Sequence, residues 1–69
     1  MTERYYTLIK REGGYWYSGP GNSNPGIVDD YMEYARHEMR ACDLRIICTD
    51  DSRAAIEAEV DWINEEGQQ

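Results

Sequence analysis

Two runs of aromatic and branched residues open the chain, Arg4-Tyr5-Tyr6-Thr7-Leu8-Ile9-Lys10 and Tyr15-Trp16-Tyr17-Ser18, separated by Arg11-Glu12-Gly13-Gly14. Such residues favour strands, and Gly-Gly supplies the positive φ angles of a tight turn, so the pattern predicts a β-hairpin. Gly19-Pro20-Gly21-Asn22-Ser23-Asn24-Pro25-Gly26 holds three Gly, two Pro and two Asn. That composition suits neither a helix nor a central strand and predicts a surface loop. From Ile27 to Cys42, Val28, Tyr31, Met32, Ala35, Met39 and Cys42 recur at steps of three and four, the apolar face of a helix. Asn24 or Gly26 can cap it, with Asp29 and Asp30 in the first turn and Arg36 and Arg40 late, in the order the helix dipole favours. Asp43 to Thr49 reads as a strand with Leu44, Ile46 and Cys48 on one face. Ile47 on the other face suggests that the strand is not an edge exposed on both sides. Thr49, Asp50, Asp51 and Ser52 are candidate N-caps for a second helix that runs to about Glu66 and stops at Gly67. Its buried stripe is Ile56, Val60 and Ile63, flanked by Ala55, Glu59 and Trp62. The predicted order is β-β-α-β-α in one domain spanning 1–69. The expected architecture is an α+β two-layer sandwich, a three-stranded sheet with two helices on one face. A right-handed crossover through the first helix would make the sheet mixed.

Composition sharpens this picture. Leu, Ile, Val and Phe number only ten in 69 residues, few enough in a highly charged chain to suggest disorder. Six Tyr and two Trp reverse that expectation, because each aromatic side chain buries about 150–250 Å². No apolar run approaches the roughly 20 residues of a transmembrane helix, and no signal-peptide core follows Met1. A cytoplasmic protein is expected. The formal net charge is -7, which disfavours nucleic acid and anionic membranes as direct partners and favours a basic protein. The charge is also segregated. Up to Val28 there are two acids and three bases; beyond it there are twelve acids and four bases, and from Asp50 onward seven acids face Arg53 alone.

Catalytic chemistry finds little footing. His37 is the sole histidine and lies beside Arg36 on the flank of the predicted apolar stripe, a surface position without the cleft a general base needs. Cys42 and Cys48 fall at apolar-face positions, where a free cysteine packs as a small hydrophobe. No nucleophile-elbow, P-loop or dinucleotide motif occurs. The spacing of His37, Cys42 and Cys48 matches no zinc pattern, and Asp29-Asp30-Glu33 and Asp50-Asp51 lack an EF-hand's alternating ligands. No enzyme, metal or cofactor is expected.

The acidic positions remain. Glu57, Asp61 and Glu65 stand at i, i+4 and i+8, one carboxylate about every 6 Å along a helix. Each like-charged pair costs roughly 0.2–0.5 kcal/mol, and Glu65 and Glu66 sit at the helix C-terminus, where the dipole disfavours them. Asp29, Asp30 and Glu33 form a second cluster, with Arg36 and Arg40 close enough to pair with it. A DNA duplex carries one charge per about 1.7 Å, whereas the Asp50 to Glu66 segment offers one per about 3.6 Å of helix. A convincing mimic of DNA therefore needs a second acidic row, from the first helix or from the Asp50-Asp51 corner. Tyr5, Tyr6, Tyr15, Trp16 and Tyr17 offer a competing contact surface, since Tyr and Trp are enriched at interface hot spots.

With Glu57, Asp61, Glu65 and Glu66 on one helix and Asp29, Asp30 and Glu33 on another, this small acidic chain resembles the phage anti-CRISPR proteins that mimic DNA, in particular type I-C inhibitors. The resemblance implies a non-enzymatic inhibitor in the host bacterial cytoplasm. Its partner would be a basic nucleic-acid-binding protein, the PAM-recognising large subunit of a type I-C surveillance complex. Asp29, Asp30, Glu33, Asp50, Asp51, Glu57, Asp61, Glu65 and Glu66 would be its contacts. Separately, Tyr6-Thr7-Leu8-Ile9-Lys10-Arg11-Glu12-Gly13-Gly14-Tyr15-Trp16-Tyr17 resembles the opening hairpin of HicB-like antitoxins, and Thr49-Asp50-Asp51-Ser52-Arg53-Ala54-Ala55-Ile56 is similar to the capped helix found there. That likeness implies a small protein-interaction module that uses the hairpin aromatics, although a Gly/Asn/Pro loop, a helix and a strand replace the segment that family carries between the two.

Overall fold

The computed structural model describes residues 4–40 and 43–67. Gly13 and Gly14, at φ of 65° and 83°, turn the chain so that β1 (Arg4–Glu12) and β2 (Tyr15–Asn22) pair antiparallel from Glu12 and Tyr15 onward. β2 runs through Gly19-Pro20-Gly21-Asn22, the first half of the segment predicted as a loop. The reason lies in its place in the sheet: at an edge, a proline without an N–H and two glycines are tolerated, and an irregularity in pairing between Thr7 and Ile9 absorbs the misfit. Gly21 is needed there, because a Cβ would stand 2.6 Å from Tyr5 Cε2 and 2.7 Å from the Tyr6 carbonyl oxygen.

α1 (Pro25–Glu38) starts where the Asn24 side chain accepts a hydrogen bond from the Gly26 N–H at 2.9 Å, with Pro25 in the first turn. Because the helix starts this early, Asp29 and Asp30 fall beyond its first turn. It also stops short of the predicted end at Cys42. Arg40 takes a left-handed φ of 55° just past the C-cap Met39, the conformation that commonly terminates helices. Met39, expected on the buried face, is therefore exposed, and Cys42 lies outside the described residues. β3 (Leu44–Asp50) follows, and α2 (Arg53–Gly67) begins at Ser52, whose Oγ accepts from the Ala55 N–H at 3.1 Å.

The sheet order is β2-β1-β3, and both ladders are antiparallel. The crossover through α1 thus joins strands that flank β1 instead of neighbouring each other, and the sheet is not mixed. The α+β class and the β-β-α-β-α order are as predicted. The layering is not. Leu8 pairs with Ile46 on one face, where Val28 and Ala35 of α1 cover them together with Tyr31, Met32 and Leu44. Ile9, the next residue, points the other way, into a cluster with Ile47, Val60 and Ile63 backed by Trp16 and Ile56. The helices therefore lie on opposite faces, giving three layers instead of two helices on one face. Apolar residues at successive positions, Leu8-Ile9 in the central strand and Ile46-Ile47 in β3, leave two faces to bury, and one helix is needed on each.

Candidate interaction surface

Val60 and Ile63 anchor α2 to the sheet, and Asn64 beside them is 5% exposed. Its amide spans the outer edge of β2, accepting from the Trp16 N–H at 2.7 Å and donating to the Trp16 carbonyl at 3.1 Å. A side chain thus occupies the place another strand would take. A polar residue four positions after Val60 on a buried stripe is the signal that could have marked it, since buried polar groups require partners.

Anchored in this way, α2 turns Glu57, Asp61, Glu65 and Glu66 to solvent. Among the described residues, no Lys, Arg or His comes within 4.0 Å of these four carboxylates. Three acids in or beside the strands differ: Asp43 meets Arg11 at 3.3 Å, Asp50 meets Arg4 at 4.0 Å, and Glu12 meets Lys10 at 3.5 Å, whereas Asp29, Asp30, Glu38, Asp51 and Glu59 likewise have no cation within 4.0 Å among the described residues. Asp61 and Glu65 border a shallow hollow with Tyr15 and Asn64, so the stripe follows the flank of α2 that faces the β2 edge. Trp62, predicted to flank the buried stripe, is 57% exposed. Its position, about 200° around the helix from Val60 at 100° per residue, is the reason.

Glu66 leaves the stripe for the opposite flank. It lines a cavity of about 270 Å³ with Gly14, Trp16, Arg11 and Arg45. There the Arg11 and Arg45 guanidinium carbons stand 5.7 and 5.3 Å from the centroid of the Trp16 ring, within cation–π range. Trp16 is consequently a packed residue. Of the hairpin aromatics it leaves Tyr15 and Tyr17 as the exposed pair, with ring centroids 5.2 Å apart.

The first-helix cluster faces away from all of this. Asp29, Asp30 and Glu33 are exposed on α1, across the sheet from α2. Glu33 is also engaged within its helix, 4.0 Å from Arg36 and 3.2 Å from His37. The second acidic row cannot come from α1. The Asp50-Asp51 corner, by contrast, leads directly into α2, and both residues are exposed. On the α1 side the prominent feature is a groove of about 600 Å³ between the end of the helix and the sheet, with Leu8, Pro20, Tyr31, Ala35, Met39 and Leu44 among its lining residues.

Cys48, predicted to pack on the apolar face, is exposed, because the α1-side cluster ends at Ile46. His37 is exposed, as expected from its position. Among the described residues no group of three or more His, Cys, Asp and Glu is placed to hold a metal ion, and no helix is long and apolar enough to cross a membrane. No protein-family model, curated protein or solved structure matches the chain.

Proposed function

We propose that the protein is a non-enzymatic inhibitor that presents the carboxylates of α2 to the basic nucleic-acid-binding site of another protein. The observation that carries this reading is the unpaired flank of Glu57, Asp61 and Glu65, continued by Asp51 at one end of the helix. Carboxylates spaced about 6 Å apart without local cations repel one another, and a ring of Arg and Lys relieves that repulsion on binding. Exposed Trp62 and Tyr15 beside the stripe add apolar contact area of the kind enriched at interface hot spots. The resemblance to DNA-mimicking anti-CRISPR proteins supports a type I-C surveillance complex as the target, at the site where its large subunit recognises the PAM duplex.

Competition between the protein and a PAM-containing duplex for purified type I-C complex tests this. The wild type displaces the duplex, and displacement weakens steeply with added salt because screening acts on exposed charges. Combining Glu57→Lys, Asp61→Lys and Glu65→Lys abolishes displacement while circular dichroism and melting remain those of a folded protein. A folded triple variant that competes as well as the wild type sinks the proposal.

A second reading, an antitoxin-like interaction module, draws on the α1-side groove and the exposed Tyr17, Tyr34 and Met39. Under it, Tyr34→Ala and Tyr17→Ala abolish partner binding and charge reversal on α2 has little effect. Trp16 is not a useful probe of that surface, because it packs against the core.

A further inference from the structure

The two edges of the sheet are treated differently. On β2, Asn64 closes the outward groups of Trp16, Pro20 has no N–H, and the pairing irregularity breaks the strand's regularity. β3 has no proline, glycine or lysine, and its seven residues pair with β1 without interruption from Asp50 to Leu44. The Arg11 N–H donates to the Asp43 carbonyl at 3.0 Å, so Asp43 faces β1. By the alternation of an antiparallel ladder, so do Arg45, Ile47 and Thr49. The N–H and C=O groups of Leu44, Ile46 and Cys48 therefore point out of the sheet. Among the described residues none of them has a hydrogen-bond partner. The row ends at Asp50, whose carbonyl accepts from the Ser52 N–H at 2.8 Å and the Thr49 hydroxyl at 2.9 Å.

We propose that the outer edge of β3 is a strand-addition site, which takes an extended segment of a partner protein with an apolar centre and basic residues at its ends. An open edge supplies affinity through main-chain hydrogen bonds, and the side chains beside it supply selectivity. Leu44 and Ile46, half-buried, and exposed Cys48 give this edge an apolar middle. Asp43 lies at one end and Asp50 and Asp51 at the other, and among the described residues only the first two are within 4.0 Å of an arginine of this chain. A second copy fits poorly. Antiparallel self-pairing centred on Ile46 brings Asp43 beside Thr49 and Asp50 of the other copy at both ends, between two molecules of net charge -7. Lysine or arginine at the ends of an incoming strand meets the same aspartates favourably. This site is independent of the α2 carboxylates, and charge reversal at Glu57, Asp61 and Glu65 leaves it intact.

Amide hydrogen exchange of the full chain tests it. The probe is a seven-residue peptide of alternating valine and threonine with a lysine added at each end. At saturating peptide, exchange at Ile46 and Cys48 slows by about tenfold or more, while amides already bonded to β1 change little. The same peptide N-methylated at two consecutive central residues, which removes a donor from each of its edges, gives no protection. Cys48→Pro deletes an outward donor without touching the β1 ladder and abolishes the effect in a chain that melts normally. Absence of protection with the unmodified peptide, or equal protection by the methylated one, overturns the site. Equal binding of a peptide with glutamates at its ends overturns the basic partner. Protection that grows with protein concentration in the absence of peptide assigns the edge to a second copy and overturns the partner as well.

Discussion

On the α2 side of the sheet, Ile9, Ile47, Val60 and Ile63 pack together beside a cavity of about 270 Å³, whereas on the α1 side Leu8, Val28 and Ala35 leave a groove of about 600 Å³ beside them. The ion pairs also differ. α1 pairs its Glu33 with Arg36 and His37, while α2, tied to β2 through Asn64, has no cation within 4.0 Å of Glu57, Asp61 or Glu65 among the described residues. Repulsion along a helix is tolerable where packing and the Asn64 tie hold that helix down. The side with the Ile9 cluster therefore carries the longer stripe of unpaired carboxylates, and on the groove side Glu33 alone of the α1 carboxylates is held by cations among the described residues, Asp29, Asp30 and Glu38 having none within 4.0 Å.

The largest test of this contrast is truncation of the two adjacent residues of β1. Ile9, fully buried, should lose about 2–5 kcal/mol of stability as Ile9→Ala, because a closed site relaxes little around the hole. Leu8→Ala should cost less, towards about 2 kcal/mol, since Leu8 already lines the groove. Denaturant titration measures both, and an equal or larger loss at Leu8 breaks the comparison. Asn64→Ala comes next. Losing two hydrogen bonds to a half-buried backbone should cost about 1–3 kcal/mol and open the β2 edge. Faster amide exchange at Trp16 with the α2 carboxylates unchanged is the accompanying signature. The smallest effect has the opposite sign. Thr7, 2% exposed on the α2 face, has a hydroxyl with no hydrogen-bond partner among the described residues. Thr7→Val should stabilise the protein by about 1 kcal/mol, a gain of a few degrees in melting temperature. A loss instead would mean that the hydroxyl is satisfied.

Much of the fold is legible in local chemistry. Gly13-Gly14, the Asn24 cap and the Ser52 cap each act over a few residues, so the hairpin and both helix starts can be read directly. The misreadings have physical causes. Gly19 to Asn22 looks like a loop until β2 is known to be an edge strand, and Arg40 ends α1 through a left-handed conformation that its residue type does not advertise. For the candidate surface, the spacing of Glu57, Asp61 and Glu65 is visible in the sequence. Their lack of cations is only half visible, because Arg11 and Arg45, distant in sequence, come to the same face and engage Trp16.

The sequence by itself determined the five elements, their order and the acidity of the C-terminal half, since turns, caps and periodicity are settled within a few residues. Only the tertiary structure decided which face each helix covers. Side-chain alternation along β1 sends Leu8 and Ile9 to opposite sides, and the long-range pairing with β3 lines up a second such pair, Ile46 and Ile47, so that each face needs its own helix. That separation puts Asp29, Asp30 and Glu33 across the sheet from Glu57, Asp61 and Glu65, leaving α2 and the Asp50-Asp51 corner to form the acidic surface.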